Sequence, residues 1–443
     1  ALNVSGNLYV NSTNVGIGTK DPTHTLHVVG NLNVTGNITS AGIAVKPGVT
    51  MTVASSTSRG KETADLVADG TADNVEIQSA IDNVSALGGG TVVLLEGKYN
   101  LATLTALDMK DNVSLIGQGG YSTTISDQDG YLIQFNPAVS TTIENVRISR
   151  LHLLAVGSGI VFIGNGNVSD VLIEENIIEA YNTSSKGIHA ANGENVDGSR
   201  IWINKNKILV NSSSSYGITF WRPFENIFIY DNFVEVTNTG GFNPIGIYGN
   251  SKHIIISNNR VISNGHTGIA LSPASYATIT GNIVNASPTA GEGGIEIEWK
   301  ADHGGSDTSH HVIVSNNQVY GGNWGIYTID RDTGTDPYEI MISNNIIDSS
   351  TTCLYLAEGN EITISGNSYR NCGTNVTVDA GVDFKNQHFE GSIGIGTATP
   401  NTALEVNGNI NASRVNATSD VCIGGGSCLT TVISGSNASI NAL

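Results

Sequence analysis

The chain contains few charged residues, and most of them are acidic. Only 13% of its 443 residues are charged, with 20 Lys and Arg against 39 Asp and Glu, so the formal net charge at pH 7 is −19. This charge balance argues against binding to nucleic acid or to an anionic membrane surface. The sequence also lacks a run of about 18 apolar residues, and we therefore expect no transmembrane helix.

Cysteine is scarce as well, and the four cysteines fall into two close pairs. Cys422 and Cys428 bracket a Gly-rich segment and predict a hairpin closed by a disulfide. Cys353 and Cys372 are separated by about the length of one repeat, as defined below, and predict a disulfide between neighbouring repeats. Two oxidised pairs are typical of an extracellular or cell-surface protein, and we expect that location.

Asn-x-Ser/Thr sequons are frequent and cluster in both tails. In a secreted protein each is a candidate for N-glycosylation, although a chain rich in Asn, Ser and Thr also produces sequons by chance. The chain starts at Ala1 without a signal-like segment, as expected of a processed secreted chain or of a trimmed one. The candidate sites are Asn3, Asn11, Asn33, Asn37, Asn83, Asn112, Asn167, Asn182, Asn211, Asn285, Asn375, Asn411, Asn416 and Asn437.

One short pattern organises most of the chain. In Val171–Ile178, two alternating apolar residues are followed by Asn176 and then by another apolar residue. A repeat of 22 to 35 residues built from short strands of period two indicates a solenoid. The repeated Asn stands at Asn176, Asn206, Asn232, Asn259, Asn282, Asn317, Asn345 and Asn367.

A second marker, Gly-Ile, opens another short strand in each repeat. Two or three short strands per repeat predict an all-β fold, a parallel β-helix of about ten coils. The repeated Asn is expected to occupy a tight turn in left-handed backbone, with its amide hydrogen-bonded along a stack about 4.8 Å per coil. The Gly-Ile marker stands at Gly159, Gly187, Gly217, Gly246, Gly268, Gly294 and Gly325.

A helix is predicted near residues 73–87, just before the first coil. Asp73 is the expected N-cap, and Glu76 is its expected capping-box partner. Such a helix would cover the open end of the solenoid and hide unpaired strand edges. The expected apolar stripe of this helix is Val75, Ala80, Ile81, Val84 and Leu87.

The stretch from Asp69-Gly70 to Gly97-Lys98-Tyr99, together with the coils, resembles the entry of pectate-lyase-like right-handed β-helix proteins. This superfamily includes phage tailspikes, and the resemblance extends from Asp65 to Cys372. It implies a right-handed parallel β-helix. Where the family usually has Asp-Asp-Thr after Asp-Gly, this chain has Ala-Asp-Asn at residues 72–74, a difference that concerns structure.

A related motif stands near each end of the chain. Residues 16–35 and 394–413 share Gly-Ile-Gly-Thr, a Pro, Leu-x-Val and Gly-Asn at matching places. The motif resembles a repeat of phage tail fibres and long microbial surface proteins, which implies β-structured assembly modules. The predicted domains are an N-terminal β module (1–40), a linker (41–64), the β-helix with its helix (65–390) and a C-terminal β module (391–443).

The resemblance prompts a search for catalytic residues, because the superfamily includes polysaccharide lyases and hydrolases. The galacturonase set is represented only by Gly265-His266-Thr267-Gly268, and the calcium-and-arginine pattern of pectate lyases is absent. The residue after each Gly-Ile is expected to point outward, giving a column of Val161, His189, Thr219, Tyr248, Ala270, Glu296, Tyr327 and Tyr355.

Two kinds of site are predicted on this outward face. Glu296 and Glu298 are expected about 6.6 Å apart, a spacing compatible with an inverting acid/base pair, beside a cleft bounded by a loop at residues 299–311. Aromatic side chains there are candidates for contact with glycans, although they equally suit a solvated sheet face. These candidates are Trp221, Tyr248, Tyr327 and Tyr355.

A calcium site is the one cofactor that the sequence suggests. Asp330, Asp332 and Asp336 have the spacing of a loop calcium site, although the same residues suit a polar turn. No other cofactor is expected.

Two functions follow. The first is an extracellular structural subunit that assembles with itself through its terminal β modules, as a filament or a closed trimer, with adhesion to surface or matrix glycans as a further role. The alternative is a tailspike-like polysaccharide depolymerase, either a lyase or a glycoside hydrolase. The missing catalytic motifs and the duplicated end modules favour the first, while enzymatic activity is left open.

Overall fold

The computed structural model describes residues 49–379, apart from 128–129, 183, 191–194, 288–291, 301–307, 332–335 and 349, together with residue 382 and short strands in both tails. The chain divides into two compact units, residues 1–47 and 48–443. Within the described residues, no helix has the length and the hydrophobicity needed to cross a membrane.

The second unit is built from three parallel ladders of strands, and each coil gives one strand to each ladder. The first ladder precedes the repeated Asn. Its strands are Val49–Ala54 (flanked by Leu66–Val67), Gly90–Leu94, Val113–Ile116, Thr142–Ser149, Asn167–Glu174, Asp197–Asn204, Phe224–Tyr230, the second part of Ile245–Ser257, the second part of Ile269–Thr280, His310–Ser315, Tyr338–Ser343 and Asn360–Ser365.

The second ladder follows the repeated Asn. Among the described residues it contains eleven strands, close to the number of coils expected from the sequence. Its strands are Gly97–Asn100, Thr123–Ser126, His152–Ala155, Ile177–Ala180, Lys207–Val210, Phe233–Val236, Arg260–Ser263, Ile283–Ala286, Gln318–Gly321, Ile346–Asp348 and Ser368–Arg370.

The third ladder carries the Gly-Ile marker. Its strands are Leu107–Asp108, Tyr131–Phe135, Ser158–Phe162, Lys186–Ala190, Tyr216–Phe220, the first parts of Ile245–Ser257 and Ile269–Thr280, Gly293–Trp299, Trp324–Asp330, Thr352–Leu356 and Thr374–Val378. The two long strands join the first and third ladders into one hydrogen-bonded sheet.

Alternating apolar residues fill the interior of the coils. In the first ladder, the first apolar residue of each alternating pair stacks on the equivalent residue of the next coil. From Val171 to Ile362, every residue of this column is at most 1% exposed. Burial of such β-branched side chains contributes about 25 cal/mol per Å² of apolar surface removed from water. This column consists of Val171, Ile201, Ile227, Ile254, Ala277, Val312, Ile340 and Ile362.

The Asn stack is confirmed. Asn232, for example, donates its backbone N–H and its side-chain amide to Asn259 Oδ1 at 2.9 and 3.0 Å, and a second amide hydrogen bond goes to Ile203 O at 2.8 Å. The same links connect the eight Asn residues from Asn176 to Asn367. Because each amide satisfies backbone groups inside the coil, the stack stabilises the corner between the first two ladders.

The expected backbone conformation of these Asn residues was wrong by one position. The left-handed residue is the one before the Asn, as at Glu175, Lys205 and Asp231, with φ of 55°, 52° and 57°. Where the preceding residue is Gly281 or Gly366, φ is also positive. The chain bends at this exposed residue, and the side chain of the following Asn is buried inside the coil.

All the Gly-Ile glycines except Gly246 are required by close packing between the third ladder and the second. A Cβ on Gly187 would lie 2.5 Å from Ile208 Cγ2 and 2.4 Å from Gly217 O, and Gly294 is equally crowded by Val319 and Gly325. The backbone of the third ladder lies so close to side chains of the second ladder that a side chain at these positions would clash. The Gly-Ile marker therefore indicates a steric requirement for glycine.

The expected helix is present at Asn74–Ala86, but its stripe and its cap differ in detail. Ile77, Ala80, Ile81 and Val84 are buried in the core, whereas Val75 and Leu87 are 60% and 52% exposed. The capping box is absent, because the Asp73 carboxylate instead accepts hydrogen bonds from Gly70 N–H and Asn100 N–H, both at 2.7 Å. Asp73 therefore ties the helix start to the first coil. A single 3-10 turn, Lys61–Thr63, precedes the helix.

The β-helix starts earlier than expected. Val49–Ala54 pairs with Gly90–Leu94 in the first ladder, inside the segment 41–64 predicted as a linker. Its Val49, Met51 and Val53 alternate with Thr, a period-two pattern that the Ser/Thr-rich composition of the segment obscured.

Short strands occur in both tails. In the first unit, Leu8–Val10 pairs antiparallel with Val15–Ile17, which pairs parallel with Leu26–Val28. In the second unit, Ile393–Ile395 pairs parallel with Leu404–Val406, and Val421–Ile423 pairs antiparallel with Ser427–Leu429.

Candidate functional site

The outward face of the third ladder has the expected column, with one correction. Glu296 lies between Ala270 and Tyr327, and His189 is followed by Thr219. In the next coil, however, Gly246 and not Tyr248 pairs with Thr219, because Pro244-Ile245 takes the place of Gly-Ile there. Tyr248 belongs instead to a neighbouring column with Ser272.

Most of this face is covered by protein, although its side chains point away from the core. Tyr248, Glu296 and Glu298 are 2%, 2% and 3% exposed, and Tyr327 is fully buried. Trp221 and Tyr355 keep partly exposed side chains. Of the four glycan-contact candidates, these last two therefore retain accessible surface, and glycan contact stays a prediction.

Glu296 and Glu298 meet at a single arginine that the sequence reasoning missed. Arg331 Nη2 lies 2.6 Å from Glu296 Oε1, and Arg331 Nε lies 2.5 Å from Glu298 Oε2. A third carboxylate, that of Glu292, lies 3.3 Å from Nη2. We call these four residues the Glu–Arg cluster. Arg331 directly follows the strand Trp324–Asp330. It is the only Lys or Arg in the sequence between Lys300 and Arg370, and this isolation could have identified it as a partner for the nearby glutamates.

The charges of the Glu–Arg cluster perturb one another strongly. Burial raises the pKa of Glu296 well above its usual range, and the charge of Glu298 adds to the rise, while Arg331 opposes it. Burial lowers the pKa of Arg331, but the surrounding carboxylates more than offset this, and the guanidinium stays protonated. A fixed cation among three acids leaves the cluster acidic overall.

A second set of polar contacts surrounds Glu292. Tyr327 Oη and Thr267 Oγ1 lie 2.5 Å apart, and each is 3.0 Å from Glu292 Oε2. His266 Nε2 lies 3.4 Å from Glu292 Oε1, and burial lowers the pKa of this histidine although Glu292 opposes the shift. The Tyr327 ring packs directly on Gly293 where it makes these contacts, because a Cβ on Gly293 would lie 2.9 Å from a carbon of that ring.

An aromatic cluster lies beside these polar residues. The ring centroids of Tyr248 and Trp221 lie 4.4 Å apart in a tilted arrangement, and Tyr216 stacks on Phe242 with ring centroids 4.9 Å apart. The Tyr248 ring covers Gly246 and donates its hydroxyl to Asn243 Oδ1 at 3.1 Å. Burial raises the pKa of Tyr248, so this tyrosine is a neutral hydrogen-bond donor.

The chemistry open to the Glu–Arg cluster follows from these bonds. Glu296 and Glu298 lie on one strand as expected, but one guanidinium holds both. A general acid needs a raised pKa, which Glu296 has, whereas a general base needs a carboxylate that can reach water. While Arg331 remains in place, the arrangement favours a structural ion-pair network over an acid/base pair. The catalytic assignment stays a prediction.

The predicted calcium and disulfide sites have different outcomes. Among the described residues, no group of three or more His, Cys, Asp or Glu is arranged to hold a metal ion. Asp332 lies outside those residues, so the calcium site stays a prediction. The Cys353–Cys372 disulfide is present, with Cα atoms 5.7 Å apart. The backbone places Cys422 opposite Cys428 in an antiparallel pair, and their disulfide stays a prediction.

The described sequons all lie on accessible surface. Asn83, Asn112, Asn167, Asn182, Asn211 and Asn375 are exposed, and Asn285 is half-exposed. Surface exposure is required for modification, but occupancy stays a prediction. The remaining candidates, Asn3, Asn11, Asn33, Asn37, Asn411, Asn416 and Asn437, lie outside the described residues.

Three parallel ladders, an internal Asn stack and a helix before the first coil define a right-handed parallel β-helix fold. A family model described as "Right handed beta helix region" matches residues 131–319. The expected fold class is thus confirmed.

Curated relatives are matched over part of the chain. Mannuronan C5-epimerase AlgE3 of Azotobacter vinelandii is 27% identical over 231 residues, which are 46% of this chain and 12% of the epimerase. AlgE5 of the same organism is 26% identical over 232 residues, 46% of this chain and 21% of that protein. The chain therefore spans only a small part of the length of these relatives.

Solved structures are matched over most of the chain at low identity. DFA-IIIase from Arthrobacter chlorophenolicus A6 in complex with GF2 is 14% identical, with 77% of this chain and 94% of that chain covered and a TM-score of 0.53. The Streptococcus pneumoniae surface protein and adhesin PfbA is also 14% identical, with 70% and 96% covered and a TM-score of 0.47. At this identity the likeness to the DFA-IIIase concerns the fold alone.

Proposed function

We propose that the chain is a structural subunit of an extracellular filament, joined head to tail through its terminal β modules. One observation carries the proposal. Val15–Ile17 pairs with Leu26–Val28, and Ile393–Ile395 pairs with Leu404–Val406, in the same parallel register around the same Gly-Ile-Gly-Thr motif. The two ends therefore carry related β modules.

Modules of this kind are well suited to pairing between chains. Their strands are three residues long, and so small a sheet is marginally stable alone in water. Strand addition by a neighbouring chain would supply the missing hydrogen bonds and would bury the alternating apolar residues. A contact between unlike ends of two subunits does not close on itself and generates a filament.

The body of the molecule suits a rigid spacer. The Asn stack runs through the coils from Asn176 to Asn367, and the Cys353–Cys372 disulfide joins the last coils. A disulfide and exposed sequons favour an oxidising, extracellular setting. The acidic net charge favours solubility of the individual subunits before assembly.

End-blocked variants of the full chain test the assembly. Ile17→Asp with Val28→Asp blocks the N-terminal module, and Ile395→Asp with Val406→Asp blocks the matching positions at the other end. We expect filaments from the wild type by electron microscopy, monomers from either blocked variant alone, and a 1:1 dimer when the two are mixed. Dimers from one blocked variant alone would show pairing of like ends, and a wild type that stays monomeric would refute the proposal.

A closed trimer is the competing assembly. The first ladder carries an outward column in which Ile255, Ile313 and Met341 are 40%, 40% and 43% exposed. Ile313→Asp with Met341→Asp would disrupt lateral packing along this column and leave the end modules intact. We expect filaments to persist in this variant, whereas a wild-type trimer that this change converts to monomers would favour the closed assembly.

The second candidate function is action on a polysaccharide. It is favoured by Glu296, a buried carboxyl with a raised pKa beside Glu298, and by the partly exposed Trp221, which packs against Tyr248. Because the Glu–Arg cluster is acidic overall, it would repel polyuronates, so neutral glycans are the better substrates to assay. Loss of activity in Glu296→Gln with Glu298→Gln, but not in the exposed control Glu225→Gln, would support this function. Unchanged activity would remove the pair from it.

A further inference from the structure

A cleft of about 490 Å³ opens on the outer face of the third ladder, several coils before the Glu–Arg cluster. It lies where three successive strands of that ladder pass, between the turn at Leu104 and the strand Lys186–Ala190. Its lining carries a single formal charge, that of a lysine, in a chain with 39 acidic residues. The side chains that matter are Leu104, Tyr131, Gln134, Ser158, Lys186 and His189.

His189 is the first feature that points to a ligand. Its side chain lines the cleft, the residue is only 5% exposed, and its Nδ1 has no hydrogen-bond partner among the described residues. An unpaired buried ring nitrogen destabilises the fold, and a ligand that forms a hydrogen bond with it would remove that cost. Burial, reinforced by the charge of Lys186, lowers the pKa of His189 to about 3, so the ring is neutral and keeps one donor and one acceptor.

Lys186 is the second feature. Its Nζ donates one hydrogen bond, to Ser184 O at 3.0 Å, and it forms no ion pair with any carboxylate of the described residues. Burial lowers its pKa, which reflects the cost of holding an ammonium group partly out of water. Two of its three protons thus remain for another acceptor, beside the neutral imidazole.

The rest of the lining suits the body of a small molecule. Tyr131 is 37% exposed, and its ring centroid lies 6.4 Å from that of His189, so one ring face is available for packing. Gln134 donates Nε2 to Asp108 Oδ1 at 2.5 Å, which fixes the amide and leaves its Oε1 as an acceptor. The same bond engages Asp108, which does not itself line the cleft.

We infer that this cleft binds a small organic carboxylate. The carboxylate oxygens would accept hydrogen bonds from the Lys186 ammonium and the His189 imidazole, and the carbon skeleton would lie against Tyr131. A charge-assisted hydrogen bond is stronger than a neutral one and would supply both the missing counter-ion and the missing partner. The site is opposite in charge to the Glu–Arg cluster and does not depend on filament assembly.

Titration calorimetry of the full chain with matched probes tests the inference. Glucuronate is compared with glucose, and benzoate with benzyl alcohol, so that each pair differs chiefly in the carboxylate. We expect at least one acid to bind about tenfold or more tightly than its neutral counterpart. Preference for glucuronate identifies an acidic saccharide as the source of the carboxylate, and preference for benzoate identifies an aromatic acid. Absence of binding by both acids, equal binding of acid and neutral partner, or tighter binding of inorganic phosphate would overturn the inference.

Variants then locate the binding. Lys186→Met should weaken binding of the preferred acid about tenfold or more, whereas Lys186→Arg should retain most of the affinity for that acid. Lys98→Met is the matched control, because Lys98 is exposed and lines a different cavity. Wild-type affinity in Lys186→Met with an unchanged melting temperature would also overturn the inference. The comparison of acid with neutral probe on the wild type remains decisive if that variant does not fold.

Discussion

Arg331 Nε lies 2.5 Å from Glu298 Oε2, and through its Nη2 the same guanidinium reaches Glu296 at 2.6 Å. The two carboxylates are 4% and 2% exposed at the side chain, whereas that of Arg331 is 28% exposed. One partly exposed guanidinium therefore bridges two buried carboxyl groups, and its charge opposes the rise in the pKa of Glu296 that burial causes. Among the described residues, Arg331 is thus the cation that holds these two carboxyl groups together on the outer face of the third ladder.

Replacing Arg331 should destabilise the protein in a pH-dependent way. Arg331→Met leaves the buried carboxylates without their counter-ion, at a cost of about 3 kcal/mol near pH 8. Because burial holds the folded-state pKa of Glu296 above its unfolded value, its ionisation costs stability as the pH rises between the two values. Thermal unfolding should therefore show a larger loss at pH 8 than at pH 5.

The matched control for this prediction removes the charges together. Glu296→Gln with Glu298→Gln in the Arg331→Met background should recover most of the lost melting temperature at pH 8. An equal loss at both pH values, or no recovery in the triple variant, would mean that the Arg331 side chain acts by packing alone.

The body of the fold was predictable because its signals are periodic. The Asn spacing defined the coils, the alternation around residues such as Ile201 and Ile203 defined the inward face, and the hydrogen bonds of the stack followed from a repeat of about 4.8 Å. Each of these signals averages over many coils. A single departure from the repeat, such as the shift that places Gly246 beside Thr219, therefore does not change the predicted fold.

The site was less predictable because its contacts are not periodic. Arg331 reaches back across 33 residues to Glu298 from the start of a loop, and no repeat fixes where that side chain goes. Burial of Tyr248 depends on its folding back over Gly246, a local contact between residues of one strand. Helix periodicity likewise predicted Val75 on the buried face of the helix at Asn74–Ala86, whereas the structure buries Ile77 there instead.

The Asn stack gives a stability prediction. Asn232→Ala removes the amide donors to Ile203 O and Asn259 Oδ1 and the acceptor of Asn206, and it leaves buried groups unpaired. We expect a loss of about 2–4 kcal/mol in the free energy of unfolding by urea titration, for these hydrogen bonds together. Asn367→Ala, at the partly exposed end of the stack, should cost clearly less. Equal losses at both positions would argue against an additive stack.

The disulfide should stabilise the last coils. It closes a loop with a sequence separation of 19 residues. In the chain-entropy description, such a loop contributes about 3 kcal/mol. Cys353→Ala with Cys372→Ala should therefore lower the melting temperature and increase hydrogen exchange in the strand Ser368–Arg370 before exchange rises in the strand Ile177–Ala180. A uniform increase in exchange along the coils would show that the body unfolds as one unit.

His189 should make stability depend on pH in the acidic range. Its folded-state pKa of about 3 lies below the ordinary histidine value of about 6.5, so below pH 6.5 the unfolded chain binds the extra proton. Stability is therefore complete above pH 6.5 and falls as the pH drops toward 3, by about 2 kcal/mol at pH 5. In His189→Gln this contribution is absent. The wild type should lose about 2 kcal/mol more than the variant between pH 7.5 and pH 5, measured by urea unfolding.

The comparison between these two proteins isolates His189 because the other perturbed groups are common to both. Burial also lowers the pKa of His152 and of His266, and their effects cancel in the difference. The charged neighbour of His189 in the cleft is Lys186, which keeps its proton throughout this range and opposes a second charge beside it. Parallel stability curves for the wild type and His189→Gln would mean that His189 gains access to water and is protonated in the folded state. A steeper loss in the wild type would instead confirm that the ring stays neutral in the cleft, the state in which it can share a carboxylate with Lys186.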